Sequence, residues 1–323
     1  LGGSRHIVKD FYQRALLSME QYYNKNDIKL APILDSLGVV YRDLGYYEQS
    51  KLSHIRALNI KEQYYVQNHI EMAATLDLIG VAYRYLGNVK QSKEFQERAL
   101  KIKEEHYDKD NVEIAHTLDY LGRDYRDLGD AKKAKELHLR ALIIKEKYYG
   151  RHHIEVAATI DKLARDYRYL GDAKQAKILH ERALLIRENN YGKDNVIVAF
   201  TVDHLGRCYR ALGEPEQAKI LHERAFFVKE KHFGKEHSEI AINLGFLGNA
   251  HRDLGDLEKA KELHEKALII KETFYGKGHV GLVSAIDELG EDYRCLGNIK
   301  KAKELHELSL KIKEEYFDKN NIE

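Results

Sequence analysis

The chain contains only two prolines, two cysteines and no tryptophan in 323 residues. Scarce proline leaves helices uninterrupted over long stretches, since proline removes a backbone donor and clashes with the preceding turn. Cys208 and Cys295 lie 87 residues apart, which excludes a disulfide framework and a cysteine-based metal site. They fit a reducing compartment, and a cytoplasmic location is the expectation. No apolar run approaches about 20 residues, so no helical membrane span is expected. No signal peptide is visible. Neither sign of charge dominates: 53 Lys and Arg face 52 Asp and Glu, for a net +1. That balance argues against a nucleic-acid binder, which carries a clear basic excess. At 43% apolar and aromatic residues the chain is not disordered.

What the sequence does have is a repeat. The stretch YRDLGD at 125–130 recurs at 42-residue intervals, as YRDLGY (41–46), YRYLGN (83–88), YRYLGD (167–172), YRALGE (209–214), HRDLGD (251–256) and YRCLGN (293–298). Its arginine is never lost: Arg42, Arg84, Arg126, Arg168, Arg210, Arg252 and Arg294. Within one unit Ile114, Leu118, Leu121, Tyr125 and Leu128 recur at spacings of three and four, a helical stripe. Ala134, Leu137, Ala141, Ile144 and Tyr148 repeat the pattern, so each unit reads as a helical hairpin.

The stops are legible too. Gly129 stands where a helix ends on a left-handed residue, and Asp130 can cap the next helix, as can Asn88, Asp172, Asp256 and Asn298. Asp110-Asn111-Val112-Glu113 reads as a capping box, and Asn68 with Glu71 repeats its spacing. Pro32 and Pro215 fall in first turns, where a missing N–H costs nothing. Gly38, Gly80, Gly122, Gly206, Gly248 and Gly290 recur mid-helix, with Ala164 in the same register. Glycine there costs about 1 kcal/mol relative to alanine, which points to close backbone approach by the partner helix.

The register predicts seven first helices near 30–43, 71–86, 113–128, 155–170, 197–212, 239–254 and 281–296. It predicts eight second helices, from 5–22 to 299–315. Two helices cannot bury their own stripes but stacked neighbours can, so the fold class is an all-α open solenoid of antiparallel hairpins. The whole of 1–323 reads as one array of about seven and a half units. LGGSRH and YFDKNNIE stand in mid-register, as if cut from a longer protein.

Leu121-Gly122, Tyr125, Ala134 and Ala141 resemble the tetratricopeptide repeat signature in order and spacing. The ordinary unit of that family is about 34 residues. The 42-residue unit, with its longer second helix and the connection YYGRHHIEVAAT (148–159), resembles the kinesin light chain variety. The resemblance covers essentially the whole chain. It implies a right-handed superhelix whose first helices line a concave, partner-binding groove. Such arrays scaffold unrelated partners, so fold alone does not name one. In kinesin-light-chain-like arrays paired asparagines hold the bound peptide's backbone. Here the matching pairs are Asp119-Tyr120, Asp77-Leu78, Asp161-Lys162 and Asp203-His204, so that amide clamp does not carry over directly.

The resemblance thus makes groove candidates of three rows on one helix face. The first is Asp35, Asp77, Asp119, Asp161, Asp203, Gly245 and Asp287. Four residues on come Val39, Val81, Arg123, Arg165, Arg207, Asn249 and Glu291, and three further comes the recurrent arginine. Asp119 can meet Arg123 within its helix, as Asp161 can meet Arg165 and Asp203 can meet Arg207. Two readings compete. In one, each arginine is held by an aspartate of its own or the next repeat. In the other, Arg123, Arg126, Arg165, Arg168, Arg207 and Arg210 make a positive groove in the middle repeats, where the guanidinium fork binds carboxylates or phosphates. Tyr120 and Phe246 offer apolar pockets beside it.

Catalytic and metal chemistry is not indicated. His54, His138, His180, His222, His264 and His306 are a full unit apart, too far to gather a zinc shell, and suit helix packing or interrepeat hydrogen bonds. No glycine-rich phosphate loop follows a strand. Tyrosine is frequent at 22, and aromatics recur at second-helix ends, as at Tyr64-Tyr65 and Tyr148-Tyr149, where they cover the connection. The sequence therefore points to a scaffold that binds a peptide or protein segment, acidic segments included, and not to an enzyme, a cofactor or a metal. An architectural or self-associating spacer, stacked end to end, and a small-effector sensor are the alternatives.

Overall fold

A computed structural model describes the backbone of residues 2–320 and the side chains of residues 5–316. Leu1, residues 321–323 and the Phe317 side chain, on which the reading of the chain ends and of the last aromatic rests, lie outside the described residues. The chain divides into two compact units, 1–170 and 171–323.

The first unit holds α1 (Gly2–Tyr22), α2 (Ala31–Asp43), α3 (Tyr47–Tyr64), α4 (Ala73–Tyr85), α5 (Val89–His106), α6 (Val112–Asp127), α7 (Ala131–Tyr149) and α8 (Ile154–Tyr169). The second holds α9 (Ala173–Tyr191), α10 (Val196–Ala211), α11 (Pro215–Phe233), α12 (Ser238–Asp253), α13 (Leu257–Tyr275), α14 (Val283–Cys295) and α15 (Ile299–Asn320). Among the described residues there is no strand. The chain is an all-α array of antiparallel hairpins. Within each unit every helix packs on the one before and the one after it. The even-numbered helices are the first helices of the repeat. Three of them, α2, α4 and α14, are entered through a single 3₁₀ turn.

The apolar stripes meet as expected. Ile114, Leu118 and Leu121 of α6 pack against Leu137, Ala141 and Ile144 of α7, with Leu100 of α5 closing the far side. Each fully buried Leu or Ile contributes about 1.5–3 kcal/mol. Two stripe members depart. Leu128 follows the last residue of α6 and is 41% exposed, because the chain is already leaving the packed face. Tyr148 is 64% exposed, and its neighbour Tyr149 turns inward instead. Tyr149 stacks on His153 at 4.6 Å, while the His153 ring accepts a hydrogen bond from the Glu155 N–H and caps α8. Tyr65 with His69, Phe233 with His237 and Tyr275 with His279 repeat this cover.

Gly129 takes φ +92°, and the Asp130 N–H donates to the Tyr125 carbonyl at 2.8 Å, closing a left-handed helix end. Asp130, Asn88, Asp172 and Asn298 cap their helices. Asp256 does not, since its carboxylate accepts from His251 at 3.1 Å. Asn68 is not a cap either: it sits at φ +61°, and His69 performs that role.

The mid-helix glycines admit a side chain rather than a backbone. A Cβ on Gly122 would lie 2.6 Å from His138 Nε2, and one on Gly248 would lie 2.5 Å from His264 Nε2. At Gly38, Gly122, Gly206 and Gly248 a buried histidine ring of the second helix fills this space, and at Gly80 the Gln96 side chain does.

Candidate functional site

The aspartate row lies at the joints between repeats. Asp119 is buried and accepts hydrogen bonds from Lys145 on α7 (2.9 Å), Thr159 on α8 (2.8 Å) and Lys162 on α8 (2.7 Å). Its expected pairing with Arg123 is replaced, because the Lys145 ammonium reaches it from across the hairpin. Asp35 with Lys61 and Thr75, and Asp77 with Lys103 and Thr117, repeat the joint. In the second unit Asp203 takes Lys229 at 2.7 Å and Asn243 at 2.7 Å. Burial raises a carboxyl pKa, but at Asp119 the Lys162 and Lys145 ammoniums outweigh it and hold the group well below the ordinary range. At Asp77 burial prevails over Lys103, and the pKa is raised.

These buried lysines were not among the residues singled out from sequence. Their signal was present: Lys61, Lys103, Lys145, Lys229, Lys271 and Lys313 keep one register, with Arg187 in the same place.

A second row of carboxylates, Asp124, Asp166 and Asp292, holds three members of the arginine ladder. Arg126 is buried and donates to Asp166 of the next repeat at 3.0 Å. The other Asp166 oxygen pairs with His138 Nδ1, and His138 Nε2 donates to the Asp119 carbonyl at 3.2 Å. Arg84 pairs with Asp124 and Asp127, Arg252 with Asp292 at 3.0 Å, and Arg210 with Asp253 at 2.6 Å. Where Asp124, Asp166 and Asp292 stand in their repeats, the remaining repeats have Val40, Ala82, Cys208 and Ala250. Arg168 has no ion-pair partner among the described residues and lies over the Tyr169 ring at 5.0 Å.

Of the candidates from sequence, Asp119, Arg126, Asp161 and Asp203 are buried. Tyr120, Arg123, Arg165, Arg168, Arg207, Arg210 and Phe246 are half-buried. In the first unit Arg123 on α6 and Arg165 on α8 both lie within electrostatic range of Arg126. No carboxylate forms a hydrogen bond or ion pair with either among the described residues. Burial lowers the Arg165 pKa to about 10, and repulsion from Arg126 and Arg123 adds to it. Arg123 is lowered by burial, with Arg84 and Arg126 adding repulsion. Tyr120 is raised, chiefly by burial. In the second unit Arg207 lies over the Phe246 ring at 5.0 Å.

Two tetratricopeptide repeat profiles match the chain, one at residues 113–189, 156–231 and 239–315 and the other at residues 72–113. The chain belongs to the tetratricopeptide repeat family. Its 42-residue unit is the kinesin light chain-like variety. No curated protein matches this tetratricopeptide array.

Among solved structures, BtubC (BKLC) from P. vanneervenii is 22% identical, with a TM-score of 0.57, over 72% of this chain and 91% of that one. The TPR-like repeats of a candidate kinesin light chain of Podosopora anserina are also 22% identical, with a TM-score of 0.54, over 64% of this chain and 98% of that one. The quorum sensor NprR from B. thuringiensis in its apo form is 14% identical, with a TM-score of 0.73, over 95% of this chain and 82% of that one. These likenesses are of fold. Among the described residues no group of three His, Cys, Asp or Glu side chains could hold a metal ion. None of the described helices is long and apolar enough to cross a membrane.

Proposed function

We propose that this tetratricopeptide array is a protein-interaction scaffold that binds an acidic polypeptide segment, with Arg123 and Arg165 as the principal anchors. The observation that carries the reading is the pair itself. Two half-buried guanidiniums lie within electrostatic range of Arg126, and neither has a carboxylate partner among the described residues. Like charges held in a partly dehydrated place gain most from an incoming anion. Arg168, stacked on Tyr169, extends the cationic strip, and Tyr120 adds a flat apolar surface beside it. Arg126 and Asp119 stand behind these residues and hold the repeats that carry them. The near-neutral charge of the chain favours a partner with a few placed carboxylates over a nucleic-acid backbone.

The experiment is titration of a fluorescein-labelled, glutamate-rich peptide into the full chain, followed by anisotropy at low and high salt. R123A and R165A should each weaken binding about tenfold, since a hydrogen bond to a charged group contributes about 1.5–3 kcal/mol. Binding should also weaken as salt rises. R98A, which removes an exposed partner of Glu62 on α5, is the control and should change nothing. Wild-type affinity in an R123A/R165A double variant would end the proposal.

A further inference from the structure

One joint of the carboxylate row has lost its carboxylate. The position 42 residues after Asp203 is Gly245, and the threonine of the joint is replaced by Ala285. The lysine has stayed. Lys271 on α13 is only 8% exposed, and its Nζ donates to Ser284 Oγ at 2.8 Å. No ion pair to Lys271 forms among the described residues, whereas Lys61, Lys103, Lys145, Lys229 and Lys313 each have an aspartate. Burial lowers the Lys271 pKa, and no anion offsets it.

The space the missing side chain would fill is open. A Cβ built on Gly245 meets nothing within 4 Å. Beside it lies a cavity of about 110 Å³, lined by Gly245, Phe246, Asn249, Lys271 and Ser284 among others. That is several times the roughly 10–15 Å³ one water needs. The other polar groups on its wall are engaged. His264 Nε2 donates to the Gly245 carbonyl at 3.1 Å, and Glu288 accepts from Arg252 at 2.5 Å and Asn249 at 3.2 Å. Ile242, at 36% exposed, stands at the cavity's edge, so the site is reached from the surface.

We infer that this cavity is a binding site for a carboxylate group brought by a ligand, which takes the place of the absent aspartate between Lys271 and Ser284. A buried ammonium beside an open, partly polar space is costly without a counter-ion, and a carboxylate of that size supplies one. The carboxylate comes either from a small free acid or from an acidic side chain of a polypeptide. The site lies wholly in the second unit and does not depend on the Arg123 and Arg165 cluster.

Thermal unfolding of the full chain in sodium acetate, against sodium chloride at matched ionic strength, tests it. N-acetyl-aspartate amide serves as the polypeptide arm. The wild type should show a rise in Tm that grows with the logarithm of ligand concentration, about 2 °C per tenfold above half-saturation. Response to acetate assigns a free acid, and response to the capped aspartate alone assigns a side chain. Gly245→Asp supplies the carboxylate internally, so it should raise Tm without ligand and abolish the response. Lys271→Met should abolish the response as well. Should K271M fail to fold, G245D decides. A G245D Tm at or below wild type, an equal ligand response in both proteins, or no response beyond chloride overturns the inference.

Discussion

Arg126 reaches forty residues ahead to Asp166, Nη1 to Oδ1 at 3.0 Å, and both side chains are buried. The same carboxylate takes His138 on its other oxygen. One aspartate of α8 therefore ties together α6 and α7 of the preceding repeat.

Removing Asp166 strands two buried partners at once. Asp166→Ala should cost about 3–5 kcal/mol in urea unfolding, the range for breaking a buried pair. Arg126→Met should cost less than Asp166→Ala, and the double variant should cost less than the sum of the two. Strict additivity of the two losses would show that Arg126 and Asp166 are not coupled.

The same substitution should act with opposite sign at two glycines. Gly→Ala inside a helix is normally favourable by about 1 kcal/mol. At Gly122 the new methyl would sit 2.6 Å from the His138 ring, which is fixed on both nitrogens and cannot retreat, so G122A should lower Tm. At Gly245 nothing lies within 4 Å, so G245A should raise it. Thermal melts of the two variants side by side give the answer, and a gain for G122A would mean the ring is not held in place.

Acid should loosen the Asp119 joint. Its folded pKa is lowered, so its contribution is fully present above the unfolded carboxylate value of about 3.9 and is lost as pH falls from there through the folded value. Asp77 runs the other way: with a raised folded pKa, its ionised form is disfavoured by folding, and protonation relieves that cost. Urea midpoints from pH 3 to 7 should fall less steeply for D119N than for wild type, and at pH 7 D119N should be the more damaging of D119N and D77N. Parallel pH profiles for D119N and wild type would contradict this assignment.

Much of the fold was legible because its signals are local. Tyr125 and Leu121 fall on a helical period, Gly129 follows where a left-handed turn is needed, and Asp130 caps the helix that follows. The site was legible only in outline. Arg123 and Arg165 were picked out by their register, but Asp119 was assigned to Arg123 because spacing of four suggested it. The structure gives Asp119 to Lys145 and Thr159, at separations of 26 and 40 residues. No rule about neighbours along one helix reaches that far. The buried Lys145 row carried a periodic signal, yet lysine on a helix ordinarily reads as solvent-facing.

By itself, then, the sequence determined the helices, their ends, the hairpin unit and its repetition, since each follows from periodicity and turn chemistry within a few dozen residues. Tertiary structure decided the bookkeeping of charge. Which carboxylate meets which cation depends on side chains brought together from successive repeats, and so does which cation is left over. Lys271 and Lys145 hold the same place in their repeats and differ in whether the first helix delivers an aspartate to the ammonium.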